Sequence, residues 1–435
     1  MSTIDKVKAY QRFDSRGNPT VKVEVTVNNH TASAMVPSGA STGDHEALEL
    51  RDHGERFLGL GVEKAIGNVE EIEKILVGHD IFDQVNIDKL MIELDGTENK
   101  SRLGANAILA VSMAVVRTAA LVSGKEVFHY INSLFGEPKM SLPIPMMNII
   151  NGGAHVNWEG SDFQEYMIVP SGADTFSQGL MWGVETYHAL KSLLGKKGYS
   201  TLVGDEGGFA PNIQSNTKLI DLITDAIVQA GYKPGEEISI ALDPAVSEIY
   251  DKDNKKYKLH TQNRELTSDE MIIMWEELVN NYPIISLEDA LDQDDWEGWT
   301  ALTQKLGKKV QIVGDDFLVT NTKRIDRAIQ EKSANALLVK LNQIGTVTET
   351  LNAIAKCKEA NWNTIVSHRS GETEDAFISD LCVATASGQI KTGAPARSER
   401  VAKYNRLLDI DEIDLVKLSQ TVEFTGNTPF TGKQR

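Results

Sequence analysis

Ala336-Leu337-Leu338-Val339-Lys340-Leu341-Asn342-Gln343-Ile344-Gly345 sets one lysine at the end of an aliphatic run. A strand of a parallel sheet is buried on both faces and reads as near-continuous apolar sequence. An ionisable group in it therefore stands at the strand's open end or among partners. The neighbouring runs end in the same way. Residues 238–243 close on Asp243, 284–289 carry Glu288 and 310–316 carry Asp315; 364–370 hold His368, Arg369 and Ser370, and 389–393 hold Lys391. From Glu288 onward the groups recur at steps in the twenties, the length of one strand plus one returning helix. That rhythm predicts a (β/α) barrel, whose site is built at the carboxyl ends of its strands.

The composition leaves room for more than the barrel. The chain has 435 residues, 41% hydrophobic and 24% charged, enough for a barrel and a second domain. Its net charge of −18 argues against nucleic acid or an anionic membrane as a partner, so an anionic substrate needs local cations. The two cysteines, Cys357 and Cys382, are too few for a disulfide framework or a thiolate metal site, and suggest a reducing cytoplasm. The start of the chain lacks the apolar core of a signal peptide. The best membrane candidate, 105–123, is interrupted by Asn106 and Arg117, so no membrane span is expected.

Read in order, 4–10, 20–27 and 31–36 form an antiparallel meander, followed by helical patterns at 62–77, 87–95 and 104–123. Pro138, Pro143 and Pro145 mark a crossing, which sets an α+β domain at 1–135 and the barrel domain at 136–435. The second region opens irregularly, with strands at 146–150 and 163–169 and an amphipathic helix at 175–194; a short acidic helix is expected at 409–415.

Asp243, Glu288 and Asp315 together offer an all-oxygen set suited to a hard divalent cation such as Mg²⁺. Any one of them alone is equally a helix cap or a surface ion pair. Asp289 and Asp316, one residue on, read as supporting groups or caps. Lys340 and Lys391 are either counter-charges for these carboxylates or, with pKa values depressed by burial and a nearby cation, candidates for a general base. The loop Gly204-Asp205-Glu206-Gly207-Gly208-Phe209 brings a second carboxylate toward Gln164-Glu165, a pairing that suggests one carboxyl group kept protonated as an acid. Segments 37–43 and 151–155, rich in small residues, read as turns or as lids that exclude water.

Several of these stretches are distinctive in combination: Asp14-Ser15-Arg16-Gly17-Asn18-Pro19, Ser38-Gly39-Ala40-Ser41-Thr42-Gly43, the Glu206 loop, Leu338-Val339-Lys340-Leu341-Asn342-Gln343, and Ser367-His368-Arg369-Ser370-Gly371-Glu372. They span nearly the whole chain, which closely resembles the enolases, the phosphopyruvate hydratases of glycolysis, of bacterial type. The resemblance implies an enolase-type modified (β/α)8 barrel preceded by an α+β capping domain. It also implies Mg²⁺-dependent, reversible dehydration of 2-phosphoglycerate to phosphoenolpyruvate through an enediolate. Lys340 would be the base and Glu206 the acid, with Glu165 in its network. Asp243, Glu288 and Asp315 would hold one Mg²⁺ and Ser41 a second, making two per site. His155, Gln164, Glu165, His368, Arg369, Ser370 and Lys391 would bind substrate, with Arg369 and Ser370 on the phosphate.

The family further implies a homodimer or an octamer. Departures from its usual pattern at Ser33, Val246, Ile249 and Ala396 remove no group with a chemical role. Acid-sugar dehydratases and racemases of the wider superfamily share the metal carboxylates but lack the serine lid and the His-Arg-Ser motif. Bacterial enolases are also known to bind plasminogen when secreted or displayed on the cell surface without a signal peptide. Segment 249–257 resembles the lysine-bearing loop implicated there, and reads equally as a solvated hairpin.

Overall fold

The computed structural model describes residues 2–39, 43–414, 422–426 and 428–430. The predicted meander is a three-stranded antiparallel sheet of Lys6–Phe13, Pro19–Val27 and His30–Met35. Alternating Val21, Val23, Val25 and Val27 turn one face inward, the period-2 pattern of a half-buried sheet. Against that face packs the helix Ala105–Ser123, which the sequence marks as membrane-like. It is buried along most of its length in the protein core. Its two polar interruptions are satisfied locally: Asn106 Oδ1 accepts from the Leu50 amide at 3.2 Å, and Arg117 is paired with Asp375 at 2.7 Å. Helices Glu63–Leu76, Gln84–Asp95 and Val127–Leu134 complete this region, the last without a counterpart in the sequence reading.

Eight strands then close a barrel. Ile144–Asn151 pairs antiparallel with Glu165–Val169, which pairs antiparallel with Ser239–Asp243. Ile284–Glu288, Gln311–Gly314, Ala336–Val339, Asn363–Ser367 and Gly388–Lys391 follow in parallel, and the last returns to pair with Ile144–Asn151. The single reversed strand explains the irregular opening. Only the short 3-10 turn Gly153–Val156 separates it from the first strand, with no returning α-helix, so the chain doubles back, as antiparallel neighbours allow. Reversal also places the start of this strand, Glu165, at the mouth formed by the ends of the others: Glu165 lies opposite Asp243 in the register.

One element differs from expectation. The acidic stretch after 409 is not a separate helix: Ser398–Asp409 runs on into a π-helical turn, Ile410–Asp414, and Leu415 lies outside the described residues. With no glycine or proline between Asp409 and Asp414, the sequence carries no signal that ends the helix there.

Candidate active site

The barrel register delivers the charged groups to one rim. Asp243, Glu288 and Lys391 are the last residues of their strands, and Asp315 and Lys340 each follow one by a residue or less of turn. His368, Arg369 and Ser370 continue directly from Asn363–Ser367. Two loops reach over from the reversed side. His155 sits in the turn Gly153–Val156 and Glu206 in the glycine loop, where Gly207 at φ +86° takes a left-handed conformation costly for any residue with a Cβ. A single cavity is lined by these groups, Gln164 and Glu165 included, with Glu288 just behind Lys391. Of the candidate site residues, Ser41 lies outside the described residues, together with its neighbours Ala40 and Thr42 in segment 37–43.

Lys391 is the hub. Its Nζ lies 2.7 Å from Asp243 Oδ2, 2.7 Å from Glu288 Oε1 and 3.1 Å from Glu165 Oε1, with all four side chains buried. One ammonium cannot neutralise three carboxylates in a low-dielectric site, and the protons distribute accordingly. Burial, together with neighbouring carboxylates, raises Glu165 and Glu288 well above the usual range. Asp243 stays below it, because Lys391 outweighs its burial. For Lys391 itself, burial is outweighed by Asp243, Glu165 and Glu288, which hold it firmly protonated.

Lys340 makes a close ion pair with Asp315 Oδ2. Burial favours the neutral amine, but Asp315 overrides it and the lysine's pKa is raised. The depressed pKa expected from sequence is therefore not found; the carboxylate turned toward Lys340 accounts for the reversal. Asp315 Oδ1 accepts from Gln343 Nε2 at 2.8 Å. Asp289, read from sequence as a supporting group, receives the Asp315 and Asp316 amides at 2.9 and 2.8 Å, one on each oxygen. It thereby folds the turn that aims Asp315.

Carboxylates outnumber cations here, and Glu288 Oε2 and Glu165 Oε2 are buried without a hydrogen-bond partner. Such oxygens fit a hard cation. Two further groupings bring ligand atoms close enough to share an ion, His155 with Glu165 and Glu206, and Asp289 with Asp315 and Asp316. The second is the weaker candidate, since both Asp289 oxygens are committed to backbone amides.

At the opposite wall, Glu206 Oε2 accepts from Asn148 Nδ2 at 2.9 Å and lies 3.5 Å from His368 Nε2. Although Glu206 is buried, His368, His155 and Arg400 outweigh that and keep its pKa well below the usual range. The protonated member of the carboxyl pair is thus Glu165. Arg400 Nη1 donates to His368 Nδ1 at 2.6 Å, which leaves the imidazole proton on Nε2, facing Glu206. Burial is the main reason that His368 is pushed down to about 4, Glu206 opposing and Arg400 assisting. His368 should therefore stay neutral, with its proton on Nε2, throughout pH 5–8 in ¹⁵N spectra; a titration near 6.5 would contradict this. Because the unfolded chain binds this proton first, the group costs stability progressively as pH falls from about 6.5 toward 4.

Both parts of the chain match known families. The family described as "Enolase, N-terminal domain" matches residues 4–131, and "Enolase, C-terminal TIM barrel domain" matches residues 139–432. The chain belongs to the enolase family. Among its relatives, "Enolase 1" of Methanospirillum hungatei is 52% identical over 437 residues, covering 100% of this chain and 99% of that protein. The activity of the enolases, phosphopyruvate hydratase, is accordingly that of this chain, and the acidic groups of its mouth can hold the divalent metal that the enolase family implies.

Several groups at this enolase site escaped the sequence reading. Arg400 hydrogen-bonds His368 and the backbone carbonyls of Arg369, Ser370 and Asp205, so it shapes the whole His-Arg-Ser turn. Asn148 contacts Glu206, and Glu46 and Asn342 contact Arg369. None of them carries a local signal, being polar residues in helices, strands and loops that only the fold brings together. Gly371 is constrained as well: a Cβ there would meet the Arg16 and Asp14 side chains at 2.6 and 2.7 Å.

Proposed function

We propose that this site interconverts 2-phosphoglycerate and phosphoenolpyruvate. The observation that carries the reading is the facing arrangement in one cavity of Lys340 and the strand-end carboxylates against the Glu165–Glu206 pair, with Arg369 and Ser370 at its side. Lys340 takes the proton from the carbon bearing phosphate, and the negative charge develops on the substrate carboxylate. Lys391, a fixed cation beside that position, stabilises the developing charge without reorganisation. On the other face the departing hydroxyl receives a proton from the Glu165–Glu206 pair, whose proton is held at Glu165 and relayed through Glu206. His368, whose Nε2 faces Glu206 at 3.5 Å, favours the charged form of that carboxylate. Arg369 and Ser370 hold the phosphate, while Gln164 and His155 line the same cavity and contact the substrate.

Asp243, Glu288 and Asp315 are the residues that would hold one Mg²⁺, and the family resemblance assigns a second to Ser41. Bound there, the ions would supply charge stabilisation at the substrate carboxylate, and their positive charge would favour the neutral amine of Lys340 that a base requires. The all-oxygen donor set and the unpartnered Glu288 Oε2 support this assignment.

The test is ultraviolet detection of phosphoenolpyruvate formed from 2-phosphoglycerate with Mg²⁺, then with a chelator, then with Mg²⁺ restored. Product that appears, stops and returns is the expected result. Turnover unchanged by exhaustive chelation would remove the metal from the mechanism, and no product from folded protein would remove the reaction.

The remaining assignments follow the same family reading: domains meeting near residue 135, assembly as a homodimer or octamer, and a cytoplasmic location, supported by two buried free cysteines. For plasminogen, segment 249–257 presents an exposed Lys255, with Lys252 and Lys256 in exposed pairs 3.1 and 3.7 Å from Asp44 and Glu265 that cost a lysine-binding partner little to break.

A further inference from the structure

The three cations of the mouth are held in two different ways. Lys340 and Lys391 are paired with carboxylates that themselves line or adjoin the catalytic cavity. Arg369 is paired with Glu46, which comes from a loop of the N-terminal region more than 300 residues away in sequence. Glu46 does not border the catalytic cavity. It meets Arg369 from a neighbouring cavity, lined also by Asn342, so the guanidinium stands between the two spaces.

The contact has the geometry of a fork. Arg369 Nη1 donates to Glu46 Oε2 at 2.9 Å and Nη2 to Glu46 Oε1 at 3.1 Å, while Nη1 also donates to Asn342 Oδ1 at 2.9 Å. Such a bidentate pair fixes both the position and the plane of the guanidinium. Glu46 is itself anchored. Its Oε1 accepts from the Gly43 amide at 3.1 Å and from Gln343 Nε2 at 3.3 Å, and the following amide, Ala47, donates to the Gln343 carbonyl at 2.8 Å. Gln343 also holds Asp315, so one buried side chain ties the support of Arg369 to the support of a strand-end carboxylate.

We propose that Glu46 is a positioning residue for the phosphate of the substrate. It acts from outside the catalytic cavity, presenting the Arg369 guanidinium to the phosphate in a fixed plane. This rests on the reading of Arg369 as the phosphate holder. Approach from the far side means that phosphate need not displace Glu46, and the carboxylate stays in place as substrate binds. Glutamine is the informative replacement. It keeps the volume but offers one acceptor and one amino group to a fork of two N–H donors, so one contact becomes donor against donor.

Steady-state kinetics on 2-phosphoglycerate should show Glu46→Gln raising KM about ten-fold with kcat changed less than about three-fold. The inhibition constant of inorganic phosphate should rise in parallel. Glu46→Asp, which keeps the carboxylate, should recover part of the loss, and it serves as the test variant if Glu46→Gln does not fold. In an Arg369→Lys background the Glu46→Gln effect on KM should largely vanish, because the two side chains act as one unit. A KM within two-fold of the parent, a KM that falls, or an undiminished effect in the Arg369→Lys background would each overturn the proposal. If Arg369→Lys by itself left KM and phosphate inhibition unchanged, the phosphate reading of Arg369 would be at fault instead.

Discussion

Lys340→Ala should lower kcat by about 10⁴-fold, the upper range for loss of a positioned general base. The side chain stands at the end of its strand among Asp315, Arg369 and Lys391. Lys340 is held protonated mainly by one carboxylate, Asp315, whereas Lys391 is shared among three and releases its proton at greater cost. The two steps of the reaction can be separated by following exchange of the hydrogen on the phosphate-bearing carbon with solvent. Lys340→Ala should abolish exchange along with product. Glu206→Gln should keep exchange while losing product, since the proton still leaves but the hydroxyl does not. Retention of kcat within about 100-fold by Lys340→Ala would assign the base elsewhere.

Lys391→Ala should cost about 3–5 kcal/mol of stability, the penalty for leaving buried charge without its partner. Glu165, Asp243 and Glu288 would then share one dry site with no ammonium among them. Such carboxylates bind protons more tightly in the folded chain than in the unfolded one, so the variant's stability should fall as pH rises from about 4 through neutrality. The parent should show a shallower slope of the same sign, because Glu165 and Glu288 are raised there too while Lys391 holds Asp243 below the usual range. Denaturant unfolding at pH 5 and pH 8 measures the difference, and added Mg²⁺ should restore part of the loss at pH 8. Equal stability of the two proteins at pH 8 would show that the carboxylates are not held close by the fold, and with that the metal assignment would lose its support.

Much of this centre was legible before any coordinates. Lys340, Lys391, Asp243, Glu288 and Asp315 could be picked out because a parallel strand is apolar along its length, which leaves a charged residue visible at its end. The spacing between them located the mouth, since each strand and helix returns the chain to the same side. His368, Arg369 and Ser370 followed from the same register. The reversed strand was legible only in part. Periodicity marks a strand near 165, but its direction depends on pairing with both neighbours, which no local pattern encodes.

What the sequence determined by itself was therefore the inventory and its rhythm: which strands end in charge, how many there are, and that they face one way. Only the tertiary structure decided who holds whom. It set Asp315 against Lys340 and so raised the pKa that burial alone would lower, and it left the proton of the carboxyl pair on Glu165 rather than on Glu206. It also brought Glu46 to Arg369, Arg400 to His368 and Asn148 to Glu206. The physical reason is the same in each case. Burial, charge and hydrogen bonding act over a few ångströms through space, whatever the separation along the chain.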